Sequence, residues 1–90
     1  MKKIYKYSLP GSPGDTVAVE TVPGANIVHF ALQNGQFTFW AEHERARETE
    51  RYERRIFCVV GTGMDIEDSA VHRGTVLDGR FVWHLYESWH

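Results

Sequence analysis

Asn34-Gly35 lies between two runs of strand-forming residues, and it constrains the chain more than any other dipeptide in it. Both residue types tolerate a positive φ, which the two central positions of a type I′ turn require. A two-residue turn there fixes a register. Gln33 opposes Gln36, Leu32 opposes Phe37, Ala31 opposes Thr38, Phe30 opposes Phe39, His29 opposes Trp40 and Val28 opposes Ala41. Opposed residues share a face and neighbours alternate. One face is then Val28, Phe30, Leu32, Phe37, Phe39 and Ala41, all apolar. The other is His29, Ala31, Gln33, Gln36, Thr38 and Trp40, mostly polar. A slip of one residue would destroy this segregation, so the register is strongly specified.

Asp78-Gly79 is a second hairpin signal of the same kind. Used as the two turn residues, it sets Leu77 against Arg80, Val76 against Phe81, Thr75 against Val82, Gly74 against Trp83, Arg73 against His84 and His72 against Leu85. Gly74 opposite Trp83 reads as an aromatic ring covering a glycine gap. The outer face then carries Arg73, Thr75, Val82, His84 and Tyr86. Residues 87–90 follow as a tail.

The remaining segments also read as β structure. Residues 2–9 alternate, with Tyr5 and Tyr7 toward the core. Residues 15–22 are rich in Val and Thr, with Val17 and Val19 on one side. The loop ProGlySerProGly at 10–14 suggests that Leu9 and Thr16 end an N-terminal hairpin. Residues 56–60 form a continuous apolar run that reads as a central strand buried on both faces. Residues 42–55 break the pattern with five Glu and five Arg, so their charge cancels. Three states fit them: an exposed helical insertion carried by i,i+3 and i,i+4 ion pairs, a disordered loop, or a charged extension of the flanking strands. The expected fold is mainly β, a small antiparallel barrel or two-layer sandwich of about six or seven strands, with a short helix in 42–55 among the alternatives.

At 90 residues the expectation is one domain with a small core, in which a 13% share of aromatic residues does much of the filling. A net charge of −2 supplies no basic field for duplex nucleic acid. Cys58 is the single cysteine, so no internal disulfide forms and a reducing compartment is expected. No apolar run reaches membrane-spanning length, and the lysines at the N-terminus are not followed by the apolar stretch of a signal peptide. These features predict a cytoplasmic protein.

Read in order, the motifs are Lys3-Ile4-Tyr5-Lys6-Tyr7, Val22-Pro23, Gln33-Asn34-Gly35 with Trp40-Ala41, Val59-Val60-Gly61-Thr62-Gly63, and Gly79 followed by Phe81-Val82-Trp83-His84-Leu85-Tyr86. This set resembles a family of small uncharacterised proteins of bacteriophage and prophage genomes, over nearly the whole chain. The charged 42–55 segment is longer than that family's pattern. The resemblance implies phage origin, expression in a bacterial host and an accessory role. It transfers no activity and no site.

The five histidines include no HisGluXXHis and no zinc spacing, so no metal site or cofactor is expected. Cys58 sits in the most apolar run without an activating partner. Gly61-Thr62-Gly63 could offer backbone N–H groups to a phosphate, but it lacks a Walker lysine and reads more simply as a strand exit. No catalytic residue is assigned. The candidate binding residues are Arg73, Thr75, His84 and Tyr86 on the second hairpin, His29 and Trp40 on the first, and Arg47, Arg51 and Tyr52 in the charged segment. The expected function is non-enzymatic: a phage-type protein that binds and inhibits a host bacterial protein, such as an immune protein. The alternative is a homo-oligomer that sequesters a nucleotide-like small molecule between subunits.

Overall fold

The computed structural model describes residues 1–89. Seven strands are present among the described residues: β1 (Lys2–Ser8), β2 (Thr16–Thr21), β3 (Asn26–Gln33), β4 (Gln36–Glu44), β5 (Glu53–Gly61), β6 (Val71–Asp78) and β7 (Phe81–Ser88). A 3-10 turn, Arg45–Thr49, joins β4 to β5. The strands pair antiparallel in two sheets, ordered β1-β4-β3 and β2-β5-β7-β6. The architecture is therefore a two-layer sandwich, not a barrel. Among the described residues no helix is long and apolar enough to cross a membrane.

The core lies between the layers. Phe39 of β4 and Phe57 of β5 are fully buried and meet at 4.9 Å, and Leu9, Phe30, Ala41, Val59 and Leu85 close around them. Each of these side chains larger than Ala41 contributes on the order of 1.5–3 kcal/mol when removed from water. β5 is central in its sheet, as the apolar run 56–60 predicts. The expected N-terminal hairpin does not form: β1 pairs with β4, and β2 pairs with β5. The loop between β1 and β2 is tied to both layers. The Leu9 N–H donates to the Phe37 carbonyl at 2.9 Å, and the Gly14 N–H donates to the Val59 carbonyl at 2.8 Å. Those bonds carry the chain across the sandwich.

The first hairpin turns as expected, with φ of 52° at Asn34 and 78° at Gly35. Its register holds from Gln33–Gln36 to His29–Trp40 and then breaks. Val28 is a bulge, and Ile27 takes its expected place opposite Ala41. Val28 consequently leaves the core and is 47% exposed. Bulges of this kind are concentrated on edge strands, and β3 is one.

The second hairpin turns one residue later than expected. Its closing pair is Asp78–Phe81 and its turn residues are Gly79 and Arg80, with Gly79 at φ 58°. Gly at the first central position is the type II′ signature, and it spares Asp78 a left-handed conformation. Thr75 thus opposes His84 and Val76 opposes Trp83. The register moves by two residues along one strand, so face membership survives while the partners change. Gly74 opposes Leu85 rather than Trp83, and a Cβ there would lie 2.8 Å from the Phe30 Cβ. The glycine beneath Trp83 is Gly61. A bulge at Arg73 then exchanges two side chains: His72 joins the outer face opposite Tyr86, and Arg73 turns inward.

The charged segment divides between strand ends and a 3-10 turn. Glu42, His43 and Glu44 continue β4 against β1, residues 53–55 begin β5, and only five residues form the 3-10 turn. The expected tail is also shorter, since Glu87 and Ser88 belong to β7. His90 lies outside the described residues.

Candidate functional site

The nine candidate residues fall in four places rather than on one surface. His29 and Trp40 sit on the outer face of the three-stranded sheet, with ring centres 5.5 Å apart. Thr75, His84 and Tyr86 sit on the outer face of the other sheet, across the sandwich from them. Arg73 is between the layers. Arg47, Arg51 and Tyr52 belong to the β4–β5 link. On the outer face of the four-stranded sheet, Thr75 Oγ1 lies 2.8 Å from His72 Nε2 and 3.0 Å from His84 Nδ1. His84 Nε2 lies 3.3 Å from Thr62 Oγ1. A hydroxyl supplies one proton, so one of the two imidazoles must donate to Thr75. His72, which completes this chain with Thr62, was not singled out by the sequence, and Thr62 was weighed only for its backbone in Gly61-Thr62-Gly63: the bulge at Arg73 is what brings His72 outside.

With the strand ends it joins, the link makes up the charged 42–55 segment, which has a charge distribution that the sequence hides. All five of its glutamates are engaged. Glu42 pairs with Lys2 at 3.5 Å, Glu44 with the N-terminal amine at 3.6 Å, Glu50 with Arg47 at 2.8 Å and Glu53 with Arg55 at 3.9 Å. Glu48 accepts from His43 Nε2 at 2.8 Å and from the Tyr5 hydroxyl at 2.9 Å, with Lys3 at 3.8 Å. The His43 hydrogen bond is the main reason that the Glu48 carboxyl is held below the usual range. His43 itself is buried, and its Nδ1 has no partner. Nε2 is the donor of the pair with Glu48, since a carboxylate only accepts. Among the described residues Arg45, Arg51 and Arg54 make no ion pair, and all three are exposed. Arg54 stands opposite Glu20 on β2 without closing a bridge. Tyr52, 51% exposed, stands between Arg51 and Arg54 in sequence.

Between the layers sits a group absent from the sequence-based candidates except for Arg73. Glu87 has no exposed surface. It accepts two parallel bonds from Arg55, at 2.7 and 2.8 Å, and a third from Arg73 at 2.9 Å. Arg55 also donates to the Ala25 carbonyl. Burial pushes the Glu87 carboxyl up, and the bonds and charges of the two guanidinium groups outweigh it, so the net position is below the usual range. Arg55 is raised, chiefly by its bond to Glu87. The signal for this group was present in the strand period: Glu87 continues Trp83 and Leu85, and Arg55 continues Phe57 and Val59 on the inward faces.

A family model described as a domain of unknown function, DUF7352, matches residues 1–90. The chain belongs to that family. No curated protein and no solved structure matches it.

Burial raises the Cys58 thiol, which keeps it protonated and unreactive near neutral pH. Among the described residues no group of three or more His, Cys, Asp or Glu is arranged to hold a metal ion. What the geometry offers is a charged edge at the link, a hydroxyl–imidazole chain on one outer face, and an open aromatic cleft where β5 ends and β6 turns into β7.

Proposed function

We propose that the protein acts by occupancy, docking its charged 42–55 link against an acidic surface of a bacterial host protein and thereby inhibiting it in the host cytoplasm. The observation that carries this reading is the asymmetry of the link: five engaged carboxylates beside three exposed arginines without ion pairs. Free arginines flanking an exposed tyrosine have the composition of a binding hot spot. Arginine also loses less than lysine on desolvation and can grip a carboxylate with two bonds. The glutamates tie the link to β1, so the arginines are presented on a fixed frame, which lowers the ordering cost of association. The resemblance to small phage proteins supplies the bacterial host as the setting.

The test is co-purification from bacterial cells, comparing the native chain with Arg45→Glu/Arg51→Glu and with Tyr52→Ala. One identified host protein should accompany the native chain, lose its activity on binding, and be released as salt rises. The charge-reversed variant should lose it while keeping the native unfolding midpoint. Equal recovery of that protein with both variants would refute the proposal.

A further inference from the structure

We infer that the cleft at the far end of β5 is a second, separate binding site, for a small planar ligand carrying a single anionic group, of the size and chemistry of a nucleoside monophosphate. It lies at the opposite end of β5 from the link, about 26 Å away along the strand, so it does not depend on the docking proposed above. The cleft encloses about 510 Å³, within the range of small-molecule sites.

Its floor is a pair of rings, of which Trp83 is held in place. Phe81 and Trp83 lie nearly parallel, 18° apart with centres at 5.8 Å. Trp83 lies over Gly61, where a Cβ would sit 3.1 Å from the indole and push the ring a few tenths of an ångström off β5. Phe37 meets the indole edge-on at 5.7 Å, and the indole N–H points to Asp78 Oδ2 at 3.4 Å. Three contacts thus set the plane of Trp83 before any ligand arrives. Phe81 remains 52% exposed, leaving an aromatic shelf open to solvent. Rings of this kind stack a flat heterocycle without regard to its identity.

The charge at the rim chooses among flat ligands. The Arg80 guanidinium lies 5.7 Å over Phe81 and forms no ion pair among the described residues. It can hold a phosphate or carboxylate attached to a ring stacked beside it. Thr62, bonded to His84, adds a hydroxyl at the wall. With one free arginine, and with Asp78 nearby opposing further negative charge, the complement fits one anionic group rather than a polyphosphate.

Adenosine 5′-monophosphate is the probe, followed by calorimetry and by the indole N–H resonance of Trp83, with adenosine and inorganic phosphate in parallel. The monophosphate should bind saturably and shift that resonance. Adenosine should bind about tenfold more weakly, the value of one hydrogen bond to a charged group. Phosphate alone should leave the resonance in place. Arg80→Ala should reduce monophosphate affinity to that of adenosine, and Phe81→Ala should weaken both. Both residues are exposed, so the variants should keep the native circular dichroism. The Arg45→Glu/Arg51→Glu variant should bind the monophosphate as the native chain does, which separates this site from the link. Absence of saturable binding at millimolar monophosphate would overturn the inference. So would unchanged affinity in the Arg80 and Phe81 variants, or a concentration-dependent dimer that buries the cleft.

Discussion

Glu87 carries no exposed surface, yet three charge-assisted bonds reach its two oxygens. Removing the carboxylate alone leaves two guanidinium groups between apolar layers. Glu87→Ala should therefore lose about 3–5 kcal/mol of stability in urea unfolding, whereas Arg55→Met/Arg73→Met/Glu87→Leu should lose far less, because no uncompensated charge remains. The same carboxyl sets a pH dependence. Its folded pKa is depressed, as is that of Glu48, so the contribution of each is fully present above the usual carboxylate range. It is lost as pH falls through that range toward the lower folded values. Unfolding midpoints should be flat from neutral pH down to about pH 5 and fall below it. Glu87→Gln should flatten the acid limb, and an unchanged limb in that variant would place the dependence elsewhere.

At the scale of the element, each hairpin combines a tight turn with a bulge. Two glycines make contrasting demands. Gly35 has φ 78°, and a Cβ added to it would meet nothing within 4 Å, so Gly35→Ala should cost only the backbone term, about 1 kcal/mol. Gly74 lies where β6 meets β3, and its Cβ would stand 2.8 Å from the Phe30 Cβ, an atom fixed to backbone. Gly74→Ala should cost about 1–3 kcal/mol through overpacking, measured by thermal or urea unfolding. The Asn34-Gly35 turn was legible because both residues must adopt a positive φ, which few other pairs do. The second turn was less legible because one glycine serves either Asp78-Gly79 or Gly79-Arg80, and local sequence does not choose. The Val28 and Arg73 bulges left no local mark. They follow from the need of edge strands β3 and β6 to place Ile27, Gly74 and Arg73 against the opposite layer.

Over the whole molecule, the two sheets share one core, and neither buries its inner face without the other. Trp40 lies in one sheet and Trp83 in the other, so single-tryptophan variants report the layers separately. Their urea transitions should coincide, as a two-state domain requires. Phe39→Ala should shift both together by about 3–5 kcal/mol, since Phe39 meets Phe57 across the interface. Separate midpoints would mean that one layer survives alone. The sandwich also explains why the candidate residues dispersed. A pattern of alternation assigns a residue to an inner or outer face, but two sheets have two outer faces, pointing in opposite directions.

By itself the sequence determined the antiparallel β class, the first turn and its nearby register, the apolar inner faces, and the central place of residues 56–60. Those properties depend on φ preference and on a period of two, both local. Only the tertiary structure decided that β1 and β2 join different sheets, that the charged segment divides between strand ends and a 3-10 turn, and that Arg55 and Glu87 meet 32 positions apart inside the core. These outcomes rest on distant partners: backbone bonds from one loop to both layers, β1 cations for the link's glutamates, and an arginine for a buried acid.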